Sequence, residues 1–465
     1  MSCGVTQEGV GGKSVRPVIA VVGGGLAGCE CALTLARAGL DVTLLEQKPG
    51  RRTPAHTSDH LAELVCSNSL RSNEIASGIG LLKAEMRDLG SHFMETADAC
   101  PVPAGKALAV DREAFAAAMT ARVAASPRIR RVEHCVESLV DPVLDGAWVV
   151  VIAAGPLASE ELAASLARAT GEEHCYFYDA IAPIVWTHSL DRGIVFRASR
   201  YGAIEDSCPE GQGDYLNCPM SREEYEIFYR ALRDADTAEA RGFESLKHFE
   251  GCMPVEALAA RGPRTLTFGP LKPVGFIDPR TGRRPWAVLQ LRMESAESAA
   301  CNLVGCQTRL TQTEQARVFR LVPGMSAVEF VRYGSMHRNT YVNAPAALNA
   351  DLSLKTLPRV FLAGQLTGVE GYVESAACGL WAGLLLAARA HGRELPPPPP
   401  ESALGALLRH LQRPAKHFQP SNAHFGLMPE LGEKASKKDR KALYAARARE
   451  AFAQWLLKSD CGILR

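Results

Sequence analysis

The 465-residue sequence contains no apolar run approaching the roughly 20 residues that a membrane-spanning helix needs, which speaks against an integral membrane protein. Net charge is also nearly absent, with 52 Lys and Arg against 51 Asp and Glu. The molecule as a whole is therefore no electrostatic magnet for nucleic acid, and any RNA site has to be a local patch. The 14 cysteines include no Cys-x-x-Cys pair, and neither CEC (Cys29, Cys31) nor CNLVGC (Cys301, Cys306) is joined by a second ligand pair, so no metal site is expected. Residues 1–16 lack the apolar stretch of a signal peptide and read as a disordered leader. Scattered cysteines without a secretion signal point to free thiols in a reducing, cytoplasmic compartment.

The length exceeds what one core supports, so two domains or one domain with a large insertion are expected. Residues 18–47, VIAVVGGGLAGCECALTLARAGLDVTLLEQ, read as strand, glycine turn, helix and second strand. Within Gly23-Gly24-Gly25-Leu26-Ala27-Gly28, Gly23 permits the tight turn, Gly25 lets backbone approach a pyrophosphate and Gly28 lets helix and strand pack. The helix start offers unpaired N–H groups to phosphate, and Glu46, 18 residues after Gly28, stands where an acid accepts from a ribose diol. Two later stretches favour FAD over NAD alone. WVVVIAAGPL (148–157) is a strand running into Gly155, and PRVFLAGQLTGVEGYVESAACGLWAG (358–383) places Gly364, Gln365, Gly371 and Tyr372 between a strand and an apolar helix. A second glycine turn feeding a helix adds backbone donors suited to the ribityl phosphate and flavin ring.

The expected fold is α/β: a Rossmann-like FAD-binding domain of the glutathione-reductase-like type, formed by 17–180 and 325–395, with a mixed α/β insertion at 181–324. That insertion carries strand-like runs (IVFRAS, PWAVLQLRM, CNLVGCQT) and an amphipathic helix around SREEYEIFYRALRDA. Residues 396–465 read as a polyproline linker followed by helices, LPPPPPE being a stiff spacer. The segment from Glu433 to Lys458 carries seven Lys or Arg between Lys434 and Arg449 against one Asp, either a solvated helix face or a phosphate-backbone contact.

LVCSNSLR (64–71) sets the thiol of Cys66 at the edge of a polar cluster formed by Ser67, Asn68, Ser69 and Arg71. Cys252 in FEGCMP has Lys247 and His248 just upstream and Arg261 downstream. Both thiols thus have polar or cationic company of the kind that favours a thiolate. Together with ALAVDREAF, YFYDAIAPIV, YLNCPM, FGPLKPVG, FVRYGSMHRNT, GQLTGVEGYVESAACGL and HFQPSNAHFGL, these stretches resemble the folate- and FAD-dependent tRNA (uracil-5-)-methyltransferase family from about residue 18 to 427. LVCSNSLR and FEGCMP are the most specific. The sister family that modifies the wobble uridine of tRNA shares the glycine turn.

The resemblance implies a reaction. Methylenetetrahydrofolate gives a one-carbon unit to reduced flavin, whose N5 passes it to C5 of the T-loop uridine of tRNA; hydride then completes the methyl group, and NADPH or NADH resupplies electrons. Uracil C5 is a poor nucleophile until a thiolate adds to C6. The resemblance assigns Cys252 to that attack and Cys66 to guarding or trapping the flavin-borne carbon. For Cys218, packing and function are equally open, whereas Cys29, Cys31, Cys175, Cys301, Cys306 and Cys378 read as core. MHRN (Met336 to Asn339) and Tyr372 are candidates for stacking on pterin or base, with His337 and Arg338 as substrate-binding candidates or His337 as a core residue. Arg292 either pairs with the glutamate tail of folate or is an exposed structural arginine.

LRMES (291–295) and QTRLTQT (307–313) depart from the family's LRQDN and QTHLKWG. They are expected to lie in the insertion, away from both glycine turns and both key cysteines, leaving the flavin chemistry intact and the RNA target open between tRNA and large-subunit ribosomal RNA. Two other readings stay open: a flavin-dependent thiol oxidoreductase using Cys66 and Cys252 as a redox pair within disulfide reach, and a flavin-bearing RNA scaffold.

Overall fold

The computed structural model describes residues 18–53, 55–171, 175–199, 213–238, 253–295, 299–415, 418–431, 436 and 439–459. Five parallel strands form the first sheet in the spatial order Val360–Leu362, Val149–Ile152, Val18–Val22, Asp41–Glu46, Ile129–Glu133. The largely apolar runs of the first four suit strands covered on both faces, whereas Ile129–Glu133, IRRVE, is a half-exposed edge strand. The N-terminal strand sits centrally, and its two neighbours return from opposite directions. That reversal opens a crevice at the carboxyl ends of the strands, where ligands bind in such sheets.

Helix Leu26–Arg37 follows the central strand and is buried through most of its length. It crosses helix Tyr372–Ala390 at close range: a side chain on Gly379 would overlap the Ala27 carbonyl, and one on Gly383 would meet Thr34. Among the described residues, Tyr372–Ala390 is the one helix long and apolar enough to cross a membrane, but 89% of its apolar window is buried inside the protein. Its apolarity fills the core.

A second core draws on residues from Val185 to Val328. It lies on a six-stranded sheet in the order Phe196–Ala198, Tyr215–Met220, Ala287–Met293, Ala300–Leu303, Ile184–Trp186, Phe330–Arg332, with every pairing antiparallel. Helix Arg222–Arg233 opens with a reciprocal cap between Ser221 and Glu224 and buries Tyr225, Phe228, Tyr229 and Leu232. An antiparallel ribbon, Cys175–Ala180 with Met336–Tyr341, carries the chain into and out of this lobe. A small sheet of Ser69–Ser72, Ala107–Val110 and Pro101–Val102 supports the segment that follows Cys66.

The polyproline stretch is not a free spacer. Leu395 and Pro398 are buried, and the Pro396 carbonyl accepts from Trp455 Nε1 at 3.1 Å. Glu85 caps the next helix, Ala403–His410, accepting from the amides of Ala403 and Leu404 at 2.8 Å each. The last helix, Arg440–Lys458, buries Phe452 and Trp455 against the first core. Two of its basic residues face protein: Arg447 donates to the Pro429 and Glu430 carbonyls, and Arg449 pairs with Asp88.

Candidate active site

The glycine turn leaves the central strand under tight steric limits. Gly23 has φ +102°, and a Cβ there would stand 2.5 Å from the Ala153 carbonyl oxygen. A Cβ on Gly28 would overlap the Gly23 carbonyl, so helix and strand touch only because that position is bare. Gly25 differs. It caps the Leu26–Arg37 helix with ordinary extended dihedrals and no side-chain hydrogen bond, and nothing lies within 4 Å of where its Cβ would be. That open space belongs to a cavity of about 480 Å³.

Of the cofactor residues expected from the sequence, Gly23, Gly24, Gly25, Leu26, Ala27, Glu46, Gly155, Gly364, Gln365, Gly371 and Tyr372 all line this cavity; Gly28 alone is packed behind it. Glu46 is held by two backbone donors, accepting from Gly24 N at 2.6 Å and Lys48 N at 2.9 Å, and its fixed carboxylate faces the cavity with further lone pairs to offer. Helix Tyr372–Ala390 starts at Gly371 (φ +115°), again without a side-chain cap. Two helix starts with uncapped amides thus open on one cavity, which suits a ligand with phosphates at one end and ring carbonyls at the other. The residues present fit FAD.

Cys66 lines that cavity, half-buried, against Tyr372. The Tyr372 oxygen is 2.7 Å from Cys66 N, 3.2 Å from Ser67 N and 2.8 Å from Cys66 Sγ. Two backbone amides can only donate, so they occupy the lone pairs of the phenolic oxygen, and its own proton is left to point at the sulfur. Burial, with Cys66 next to it, holds the Tyr372 hydroxyl well above its usual titration range, which keeps this donor protonated.

The polar residues after Cys66 have partners of their own, and Ser67, Ser69 and Arg71 line the cavity beside it. Arg71, at φ +64°, pairs with Glu374 at 3.2 Å. Asn68 is fully buried and donates to the carbonyls of Met293 at 2.8 Å and Val110 at 3.1 Å, stapling the loop to the inserted lobe. Arg292 is neither an exposed arginine nor available to a folate tail: it is 6% exposed and donates at 2.7 Å each to Asn68 Oδ1 and Ser67 Oγ. Sequence reasoning missed Arg112, Arg332 and Glu294, which meet behind the same loop. Arg112 donates to the Leu64 carbonyl at 2.5 Å and pairs with Glu294 at 2.7 Å, while Arg332 donates to the Val65 carbonyl at 3.0 Å.

The segments 291–295 and 307–313 are therefore not remote from the site. Arg292 and Glu294 touch the Cys66 loop or its supports, Gln307 lines the cavity, and the Gln307 carbonyl accepts from Val255 N at 2.7 Å. Cys252, Lys247 and His248 lie outside the described residues, so the redox-pair geometry does too. His337 and Arg338 are described by backbone alone, in register with Asp179 and Tyr178. Asn339 from the same strand lines the cavity. Cys218 is fully buried, and burial drives its thiol far up, so it packs. Cys29, Cys31, Cys301, Cys306 and Cys378 are buried as well. Among the described residues no cluster of three or more His, Cys, Asp or Glu could hold a metal ion.

Residues 18–394 match the family described as Glucose inhibited division protein A. The sequence is 63% identical over 440 residues to the methylenetetrahydrofolate–tRNA-(uracil-5-)-methyltransferase TrmFO of Nitratidesulfovibrio vulgaris, covering 95% of this chain and 92% of that protein. It is 62% identical to the TrmFO of Oleidesulfovibrio alaskensis, over 94% of this chain and 96% of that one. Two crystal forms of Aquifex aeolicus GidA superpose with TM-scores of 0.66 and 0.65 at 17% identity, covering 97% of this chain and 78% and 75% of those chains, a likeness of fold.

Proposed function

The chain belongs to the glucose inhibited division protein A family and to the methylenetetrahydrofolate–tRNA-(uracil-5-)-methyltransferases, and on that premise we propose that it methylates C5 of the T-loop uridine of tRNA. The observation that carries the reading is a thiol, Cys66, that lines the same cavity as the glycine turn and Glu46 and touches a tyrosine hydroxyl. FAD, when bound, supplies the hydride that completes the methyl group. The glycine turn would hold its pyrophosphate, Glu46 its ribose, and the Gly364–Tyr372 segment its ring end.

Cys252 adds to uracil C6 and makes C5 nucleophilic, and Cys66 guards the one-carbon unit. His337 and Arg338 contribute to binding pterin or base. The inserted lobe, which runs on past 324 to take in the strand Phe330–Arg332, faces the RNA, and the segments on either side of it, 18–180 and 336–395, carry the flavin. NADPH or NADH renews the reducing electrons, and the reaction runs in the cytoplasm, where tRNA and reduced folates meet.

The test is nucleoside analysis of unmodified tRNA and of ribosomal RNA after incubation with methylenetetrahydrofolate and NADPH or NADH. Ribothymidine in tRNA, lost in Cys252→Ala, is expected. No product with folate, product only with S-adenosylmethionine, or product confined to ribosomal RNA would overturn the assignment.

A further inference from the structure

The loop that carries Cys66 is gripped from behind by three guanidinium groups, which arrive from three separate parts of the chain. Arg112 opens the helix Arg112–Ala125 and holds the Leu64 carbonyl. Arg332 ends the strand Phe330–Arg332 and holds the Val65 carbonyl. Arg292, on the strand Ala287–Met293, holds the side chains of Ser67 and Asn68. Four consecutive loop residues and the carbonyl of Leu64 before them are thus tied down, since Tyr372 binds the Cys66 and Ser67 amides from the cavity side.

The charges do not balance. Glu294, with its side chain 10% exposed, is the one carboxylate paired with these three cations among the described residues. Arg71, on the other side of the loop, is already taken by Glu374. Excess buried positive charge is costly unless an anion offsets it. Besides Glu294, the acidic groups that act on these arginines are Tyr372, Tyr215 and Cys66, and the thiol, with the lowest ordinary pKa of the three, is the one that can become an anion near neutral pH. Its charge is felt at each of the three arginines, and such coupling is reciprocal: what a thiolate does for a guanidinium, the guanidinium does for the thiolate. Burial opposes the charge on all three; Arg292 and Arg332 end below their usual range, and Arg112, beside Glu294, ends above it.

We propose that Arg112, Arg292 and Arg332 are positioning residues for Cys66: with the Tyr372 hydroxyl they seat its sulfur in the cavity wall and hold it as the anion. What that sulfur meets there rests on the proposed methyl transfer; the state of the sulfur does not.

The experiment therefore uses neither folate nor RNA. The flavin-loaded protein as purified is treated with iodoacetamide across a range of pH, and alkylation of the Cys66 peptide is followed by mass spectrometry. Arg112→Gln and Arg332→Gln should each raise the midpoint of the rate profile by about one pH unit, the low end for losing a nearby opposite charge, so that alkylation below the midpoint slows about tenfold. Arg112→Lys, which keeps the charge, should restore most of the shift. A merely structural grip predicts the opposite: a looser, more accessible sulfur that reacts faster at every pH with an unmoved midpoint. That result, or an unchanged profile, would overturn the proposal. Retained flavin absorbance reports folding of each variant, and if Arg112→Gln does not fold, the half-buried Arg332→Gln decides alone. Failure of the parent protein to methylate tRNA in the separate nucleoside assay, with the shift present in the variants, would instead refute the functional reading and leave this one standing.

Discussion

Gly25 and Gly28 stand three residues apart on one turn, yet the structure assigns them opposite sensitivities to the same added methyl group. At Gly25 a Cβ has no neighbour within 4 Å, and φ is −76°, which alanine adopts without strain. Gly25→Ala should therefore leave the flavin-free protein as stable as before, or more stable by up to about 1 kcal/mol because the unfolded chain loses freedom. The empty space is the cavity itself, and the methyl group would stand where the pyrophosphate must approach. Losing one charge-assisted hydrogen bond there costs about 1.5–3 kcal/mol, or roughly ten- to a hundredfold in FAD affinity. At Gly28 the Cβ would overlap a backbone carbonyl, which no rotamer change can relieve. Gly28→Ala forces the helix off the strand at a cost of about 1–3 kcal/mol whether or not flavin is present. Titration of flavin-stripped protein with FAD, alongside thermal melting of the same samples, separates the two. A Gly25→Ala protein that binds FAD like the parent, or a Gly28→Ala protein that melts like it, would refute this placement of the cofactor.

Removing the hydroxyl in Tyr372→Phe leaves the Cys66 and Ser67 amides without their acceptor, at about 1 kcal/mol for each bond. Hydrogen exchange at those two amides should speed up about tenfold, while unchanged exchange would mean that the loop is held without the tyrosine. Glu46→Gln puts an NH2 group against the Gly24 or Lys48 amide, setting donor against donor; FAD affinity should fall at least tenfold by equilibrium titration, and parent-like binding would remove Glu46 from the ribose site. Burial pushes Glu85 up to about 8 from its usual 4.5, and Glu30 up to about 7. The folded state thus holds more protons than the unfolded one between about pH 4.5 and 8, and stability contributed by these groups falls as pH rises through that window. Glu85→Gln should flatten the decline of melting temperature over that range, and an undiminished slope would show that Glu85 titrates like an exposed acid.

The flavin half of the protein was legible because its constraints are local. A tight turn, a close helix–strand contact and an acid at the end of the next strand are all set by residues within thirty positions, and each leaves a fixed residue type at a fixed spacing. Two other stretches misled for physical reasons. LPPPPPE has the composition of a spacer, but polyproline II has three residues per turn, so Leu395 and Pro398 share a face and that face is buried. In AVLQLRM, alternation would put Gln290 and Arg292 on a wet face. All seven residues of that strand are buried, and Gln290 and Arg292 point instead at Asn217 and Asn68. The signal was present in the lack of a polar residue at Val288, which a strand with one solvated face would normally supply at that period.

The surroundings of Cys66 explain why local reading stopped short at the site itself. Its polar successors secure the loop: Ser67 Oγ accepts from Ser69 N, Ser69 Oγ accepts from Arg71 N, and Asn68 reaches the inserted lobe. The groups that act on the sulfur or on its loop carbonyls come from positions 112, 292, 332 and 372, and nothing in the composition around an arginine tells a buried one from a solvated one. A thiol needs a cationic, donor-rich surrounding to be reactive, yet it must open on an apolar cavity that excludes water. One short segment cannot meet both demands. The chain divides them, with the small polar residues beside Cys66 giving the loop its shape and distant arginines and a tyrosine giving the sulfur its electrostatics. Because Arg292 and Glu294 lie at the end of a central strand of the inserted lobe, any shift of that lobe is transmitted to the loop through side chains already in contact with it or its supports.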